Sequence, residues 1–328
     1  MSLTAFVTGA SGFVGSNLVK ELHQQGWAVH ILARPTSSLG EIEGIPYTLH
    51  EGDIADAESL ADAVPANADA VFHVAASTNF WSRNNAMQTR VNVDGTANVM
   101  EAAMKSGARR LIHTSSFVTW GFQGGSFTET SPRDAGSDWI NYVRTKHLSE
   151  QMVLDAVADG QLDAVVLNPA NVLGPGDFHN WSRLVRMVHR NKLPAAPPGG
   201  GNFCDVREVA KAHIEAFHNG RSAEKYLLGG DFATYREVIN LTAELLETRA
   251  PALTLPPLLF RALSYVMTPL ASMAGTEPDI TPESAAMSAR EIRCDSSKAM
   301  RELDYKAVPV KDMLAETIEW MRAQDLLQ

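Results

Sequence analysis

The stretch Leu3–Gly15, LTAFVTGASGFVG, is an apolar run that stops at Thr8 and passes through Gly9, Gly12 and Gly15 into a helical Asn17–Gln25. A strand, a tight glycine turn and a helix N-terminus aim backbone N–H groups and a helix dipole at an anion, with no Cβ to hold a diphosphate away. The spacing is G-x-x-G-x-x-G rather than the commoner G-x-G-x-x-G. By itself it also fits a plain strand-to-helix turn in any α/β protein.

Outward from this turn, Ala28–Ala33 (AVHILA) reads as a second strand closing in Arg34-Pro35-Thr36-Ser37-Ser38. Tyr47–Leu49 reads as a short third strand, followed by a polar helix near Asp56–Ala63. Ala70–Val74 (AVFHV) is apolar throughout, as a strand covered on both faces should be. A helical period spans Ala86–Ser106, Arg110–Ser115 (RLIHTS) is a strand, Asn141–Ala158 a long helix and Ala164–Leu167 a strand. Strand and helix alternate with crossovers of helical length, the pattern of a doubly wound, Rossmann-type parallel sheet. Beyond Asn168 the rhythm changes. Prolines 169, 175, 194, 197 and 198 and Gly199-Gly200-Gly201 interrupt a mostly helical remainder, with amphipathic helices at Tyr235–Glu247, Ser296–Leu303 and Val310–Ala323. Asp295 and Ser296 read as caps of the second of these. The partition is a nucleotide-binding domain over 1–168 and a smaller, mainly helical substrate lobe over 169–328, some of whose segments return to the sheet.

The 328 residues suffice for about two domains with full cores. Hydrophobic content of 45% and charged content of 20% are those of an ordinary soluble globular protein. A net charge of -10 argues against a nucleic-acid partner, which needs a basic footprint. Cys204 and Cys294 lack metal-ligand spacing and read as thiols of a reducing compartment, with no metal site. The N-terminus enters a strand at once without a basic leader, so a cytoplasmic location is expected. Leu255–Ala274 approaches transmembrane length but contains Arg261 and prolines 256, 257 and 269. It reads as a helix capping the pocket, or one touching a membrane surface, rather than a stable membrane insertion.

Three pieces converge on one site. The strand Arg110–Ser115 runs into Thr114-Ser115-Ser116, placing hydroxyls at the C-terminal sheet edge where ligands bind in this architecture. Tyr142 and Lys146, at i and i+4, stack on one helical face. A lysine cation near a phenol favours the phenolate and tunes the tyrosine as an acid or base.

With these motifs the sequence resembles the extended short-chain dehydrogenase/reductase family over nearly its whole length. The matching stretches are TGASGFVG at Thr8–Gly15, FHVAA at Phe72–Ala76, VNVDGT at Val91–Thr96, TSS at Thr114–Ser116 and YVRTK at Tyr142–Lys146. NPANVLGPGD at Asn168–Asp177, NFCDVREVA at Asn202–Ala210 and DSSKAMREL at Asp295–Leu303 continue the likeness. The resemblance implies Tyr142 as acid/base, Lys146 as its tuner and a ligand of the nicotinamide ribose, and Ser116 as the hydroxyl on the substrate oxygen, with Ser115 the register alternative. It implies Gly9, Gly12 and Gly15 at the diphosphate, Asp53 and Ile54 flanking adenine, Ala75 and Ala76 on the ribose side, and Pro169 and Val172 bounding the nicotinamide. Ser11, Phe13, Val14, Val74 and Thr114 complete the cofactor set.

An acid closing the second strand would favour NAD; here Arg34 stands there, and no carboxylate lies between Val29 and Gly40. NADP (NADPH) is therefore expected, with NAD possible. ARPTSSL at Ala33–Leu39, FHVAA and PGGGNFCDVREVA at Pro198–Ala210 are similar to the dihydroflavonol reductase-like subgroup. This implies NADPH-dependent reduction of an aldehyde or ketone to an alcohol. The alternative is a sugar-nucleotide epimerase or dehydratase. Family dehydratases carry an acidic pair after the catalytic hydroxyl, where Phe117 and Val118 stand. Family epimerases usually place an Arg just before the equivalent of Phe203, where Gly201 and Asn202 stand. Arg183, Arg186, Arg190, Arg207 and Arg221 are possible substitutes or merely solvated helix charges. A second alternative is a non-catalytic NADP-sensing protein. Asn79–Asn85, Trp120–Phe127, Phe178–Trp181 and Leu255–Met273 are expected around an apolar or aromatic carbonyl substrate. The helices at Ala86–Ser106 and Asn141–Ala158 match those through which many relatives form a homodimer.

Overall fold

The computed structural model describes residues 2–121, 125–133, 135–273, 276 and 278–328. Seven strands form one parallel sheet: β1 (Thr4–Thr8), β2 (Ala28–Ala33), β3 (Thr48–Glu51), β4 (Ala70–His73), β5 (Arg110–Thr114), β6 (Ala164–Pro169) and β7 (Lys225–Leu228). Their order is β7-β6-β5-β4-β1-β2-β3. The chain runs out from β1 to β3, then crosses back over β1 to β4. The winding therefore reverses between β1 and β4, where the crevice for a ligand opens in such sheets. The seventh strand comes from beyond Asn168 and pairs in parallel with β6.

Strand residues divide by period two between the faces. Ala5, Val7, Phe72, Ile112 and Leu167 pack with Leu18 and Leu22 of α1 (Phe13–Gln24). Phe6, Val71, Leu111 and Val166 pack on the other side against the helices α2 (85–106) and α3 (Asn141–Ala158). On the first face, α4 (Val206–His218) lies beside α1. Its end is held by the Arg110 guanidinium, which donates to the carbonyls of Phe217 and Gly220 at 2.9 and 2.8 Å and pairs with Asp163 at 2.8 Å. A cation at a helix C-terminus also complements the dipole.

α1 begins at Phe13 rather than Asn17, directly behind the glycine turn. α2 is interrupted by a π turn at Arg90–Asp94, with α-helical flanks at Asn85–Thr89 and Gly95–Ser106. The smaller lobe carries helices Trp181–His189, Tyr235–Leu245, α5 (Pro257–Met273), Pro282–Ser288 and Val310–Ala323. It also has a short mixed sheet that the helical reading omitted, centred on Gly200–Asp205 between Phe232–Thr234 and Glu291–Cys294. The Ser297–Glu302 helix takes its capping bond from Asp295, which accepts from Ser297 N at 2.8 Å; the Ser296 hydroxyl instead accepts from Gly229 N. Among the described residues no helix is long and apolar enough to cross a membrane, and α5 contains Pro269. Ala274, the end of the apolar stretch, lies outside the described residues.

Candidate active site

At the reversal between β1 and β4 two backbone contacts decide what fits. Gly9 has φ +79°, and a Cβ there would stand 2.6 Å from Ala75 N. A Cβ on Gly15 would lie 2.0 Å from the Gly9 carbonyl oxygen. Only hydrogen at both positions lets α1 start hard against the strand ends. Gly12 N donates to Gly9 O at 2.9 Å, and α1 has neither a side-chain cap nor an acid in its first turn. Its leading amides and dipole thus face a cavity of about 1160 Å³ without a competing carboxylate. That cradle fits a diphosphate.

Every residue named from the sequence as catalytic or cofactor-binding lines this one cavity. The lining includes Arg34 and Ser37, which follow β2, and Ser116, Tyr142 and Lys146, which follow β5 or lie on α3.

Buried polar contacts join the turn to the chemistry. Ala75 N donates to Thr8 Oγ1 at 3.4 Å, and Thr8 Oγ1 bonds His73 Nδ1 at 2.8 Å. His73 Nε2 bonds Thr96 Oγ1 at 3.0 Å, which donates to Asn92 O at 2.7 Å. Because the Thr96 proton is committed to that carbonyl, His73 Nε2 carries a hydrogen and Nδ1 accepts from Thr8. Burial lowers His73 to about 3, so the ring stays neutral. Asn92, inside the π turn, donates to Ser77 O and Thr145 Oγ1 at 3.0 and 3.1 Å. Thr145 Oγ1 in turn donates to Tyr142 O at 3.1 Å.

The three adjacent hydroxyls of TSS face different ways. Thr114 Oγ1 bonds His213 Nε2 at 2.7 Å on the α4 side. Ser115 Oγ donates to Glu150 Oε2 at 2.5 Å, inside the protein. The Ser116 hydroxyl accepts from Val118 N at 3.5 Å and interacts with the Tyr142 phenol. Lys146 Nζ donates to Thr114 O at 2.8 Å, and burial lowers it to about 8 against the raising influence of Glu150. Burial, rather than the lysine, governs the phenol here. It pushes Tyr142 above its ordinary value, and the Ser116 bond pulls the other way. The phenol is therefore protonated at neutral pH, and Phe80 covers it edge-on at 5.2 Å.

The expected aromatic loops behave differently from one another. Phe80 and Trp181 line the cavity. Trp120 does not: it is fully buried, stacked on Phe127 at 5.5 Å beneath the Arg133 guanidinium. Residues 122–124 of that stretch lie outside the described residues. Phe178 packs on Trp320 at 5.0 Å. From the apolar stretch Leu255–Met273, Leu255, Phe260, Leu263 and Met267 reach the cavity. Sequence reasoning missed Leu184, Met187, Tyr235 and Met287 at that end, and with them the polar Lys192, Asp279, Ser284 and Ser288. The amphipathic period of Trp181–His189 was the available signal for the first two. It also missed Glu150, the carboxylate under Ser115.

The candidate diphosphate anchors are engaged. Arg183 pairs with Asp279, Arg207 with Asp205 and Glu316, and Arg221 with Glu302. Arg186 donates to Phe178 O and Arg190 to Gln328 O. Asn202, in the epimerase arginine's place, donates to Gly230 O and accepts from Cys294 N.

The sequence pattern of the NAD dependent epimerase/dehydratase family matches residues 5–229. The chain is 31% identical to a candidate dihydroflavonol 4-reductase of Synechocystis sp., covering 97% of this chain and 94% of that one. It is 31% identical to sterol demethylase protein B of Methylococcus capsulatus, covering 99% and 100%. The crystal structure of gox2253 superimposes with a TM-score of 0.85 at 31% identity over 99% of both chains.

Gly15→Ala drives a methyl group into the Gly9 carbonyl. NADPH affinity, read by quenching of tryptophan fluorescence, is expected to fall by roughly 5- to 150-fold, the equivalent of overpacking by about 1–3 kcal/mol. Unchanged affinity would remove the diphosphate from this turn.

Proposed function

The chain belongs to the NAD dependent epimerase/dehydratase family, the extended short-chain dehydrogenases/reductases, whose enzymes use NAD(P), and from this we propose that it reduces an apolar aldehyde or ketone to an alcohol with NADPH. The observation that carries the reading is the substrate end of the cavity, where Leu184, Met187, Tyr235, Phe260, Met267 and Met287 form an apolar wall and, of the polar Asn180, Arg183, Lys192 and Asp279 beside it, Arg183 is paired with Asp279. Phe117 and Val118 line the cavity at the position of a dehydratase's acidic pair. The names of the two similar proteins, a dihydroflavonol reductase and a sterol demethylase component, lend support through their polycyclic compounds.

The glycine turn and the α1 amides would hold the diphosphate, and Arg34, with Ser37 beside it, the 2′-phosphate that distinguishes NADP. When bound, NADPH supplies the hydride. The rest belongs to the protein. Ser116 donates a hydrogen bond to the substrate carbonyl oxygen and stabilises the charge that develops there. Tyr142, kept as a phenol by burial, gives that oxygen its proton. Lys146, one helical turn on and held by the Thr114 carbonyl, opposes the charge left on the phenolate. The apolar wall and Phe80 keep water from the reacting oxygen.

A homodimer through α2 and α3 belongs to the same proposal. Met104 and Leu148 are 37% and 43% exposed on these helices, beside a shallow groove containing Met100 and Met152. So does a cytoplasmic location, both cysteines being free thiols.

NADPH oxidation with a panel of aliphatic, aromatic and sterol carbonyls is expected to give turnover in the wild type and a loss of roughly 100-fold or more in Tyr142→Phe. Turnover of UDP- or GDP-sugars without net NADPH consumption would reverse the ranking. Cofactor binding with no turnover of either substrate class would leave a sensor. Arg34→Ala should raise the KM for NADPH by about tenfold and leave that for NADH unchanged, since only the 2′-phosphate contact is lost. A native preference for NADH, untouched by the substitution, would make NAD the cofactor. Sedimentation at micromolar concentration should give a dimer; a monomer refutes the bundle.

A further inference from the structure

Tyr142, Lys146 and Glu150 follow one another at i, i+4 and i+8 on α3. Two of them line the cavity. Glu150 does not, and its side chain is fully buried.

Its carboxylate gathers the segments that frame Ser116. Oε2 accepts from Ser115 Oγ at 2.5 Å and from Asn168 Nδ2 at 2.7 Å. Oε1 pairs with Arg133 at 2.8 Å, whose side chain is itself only 11% exposed. Asn168 also donates to Ser116 O at 3.1 Å, and Arg133 donates to Thr119 O at 3.2 Å. The residue before Ser116, the turn after it and the end of β6 thus meet at one anion. Ser115 and Ser116 are chemically equal neighbours, both within the cavity wall. What separates them is that Ser115 donates to a buried carboxylate, whereas Ser116 accepts from Val118 N at 3.5 Å and interacts with the phenol. A buried ion pair is poor evidence of a stability role, because well-packed apolar residues commonly do as well.

We propose that Glu150 is a positioning residue for this reaction: by engaging Ser115, Asn168 and Arg133 it turns Ser116 toward Tyr142, and its charge supports the Lys146 cation. This rests on the carbonyl-reductase reading above. From β4 and β5, His73 and His113 face Lys146, and burial keeps both neutral. Arg133, His147 and Lys225 also interact with Glu150. Burial alone would take Lys146 below its value of about 8, and Glu150 opposes this. The lysine acts as a cation, so turnover is lost as pH rises through that value. Neutralising Glu150 must move the loss to lower pH.

The test uses full-length Glu150→Gln, Ser115→Ala and Ser116→Ala with the best carbonyl found for the wild type. Glu150→Gln is expected to lower kcat about tenfold or more, leave KM and NADPH affinity within about threefold, and move the alkaline limb of the kcat profile to lower pH. Ser115→Ala should lower kcat by about tenfold with that limb unmoved, and Ser116→Ala by roughly 100-fold or more. Wild-type kcat and an unmoved limb in Glu150→Gln overturn the proposal. If Glu150→Gln does not fold, Ser115→Ala decides: wild-type kcat there overturns it as well. If the wild type reduces no carbonyl, the functional reading falls, and crystal structures of the two variants judge Glu150. A Ser116 hydroxyl turned away from Tyr142 supports its role, and one left in place overturns it.

Discussion

Everything at the ligand end of the sheet depends on backbone meeting backbone at Gly9 and Gly15. Any side chain at either position would push α1 off β1 or the Val74–Ala75 segment off the turn. Contact this close lets the Ala75 amide reach the Thr8 hydroxyl, and from there the hydrogen bonds run through His73, Thr96 and Asn92 to Thr145 beneath Tyr142. A relay of this kind works only with a neutral His73, which donates from one nitrogen and accepts at the other. Burial supplies that condition. The glycine turn and the Tyr142 main chain are thereby tied to each other by buried contacts.

The same burial orders the charges. His73, His113 and His213 are all held far below the ordinary histidine range, so the sheet side of the site carries no titrating cation near neutral pH. Lys146 is left as a cation beside the phenol, with the Thr114 carbonyl to orient it and Glu150 one turn further on. Desolvation raises the phenol and lowers the lysine: the first shift keeps the phenol protonated, and the second works against the lysine cation, with Glu150 opposing it. Any electrostatic contact the remaining cation makes gains force where water is scarce.

How much of this the sequence showed depends on whether a role is local. The glycine spacing, the run from Ala28 to Ala33 and the Tyr142/Lys146 pair are each written in a few consecutive residues, and the structure gathers them around one cavity. Glu150 has the same i+4 spacing to Lys146, yet a helical glutamate ordinarily reads as a solvated charge. Its partners Ser115 and Asn168 are 35 and 18 residues away, and only the β5–β6 pairing brings them to it. Trp120 misled for a similar reason: an aromatic in a loop fits a pocket wall as well as a core, and here the ring is buried against Phe127 under the Arg133 guanidinium. The direction of the Tyr142 shift was illegible too, since spacing reports proximity to a lysine and says nothing of desolvation.

The two ends of the cavity answer to different constraints. The cofactor end is built from strand termini, where one added methyl group collides with main chain. The substrate end is built from side chains on separate helices beyond Asn168, among them Leu184 and Met187 on one and Phe260, Leu263 and Met267 on another. Such a wall can change residue by residue without disturbing the turn, the relay or the Ser116–Tyr142 contact. A single constellation for proton and hydride chemistry can therefore serve unlike substrates. At that end apolar side chains stand with the polar Asn180, Arg183, Lys192 and Asp279, so its selectivity is set by side chains that the cofactor end does not constrain.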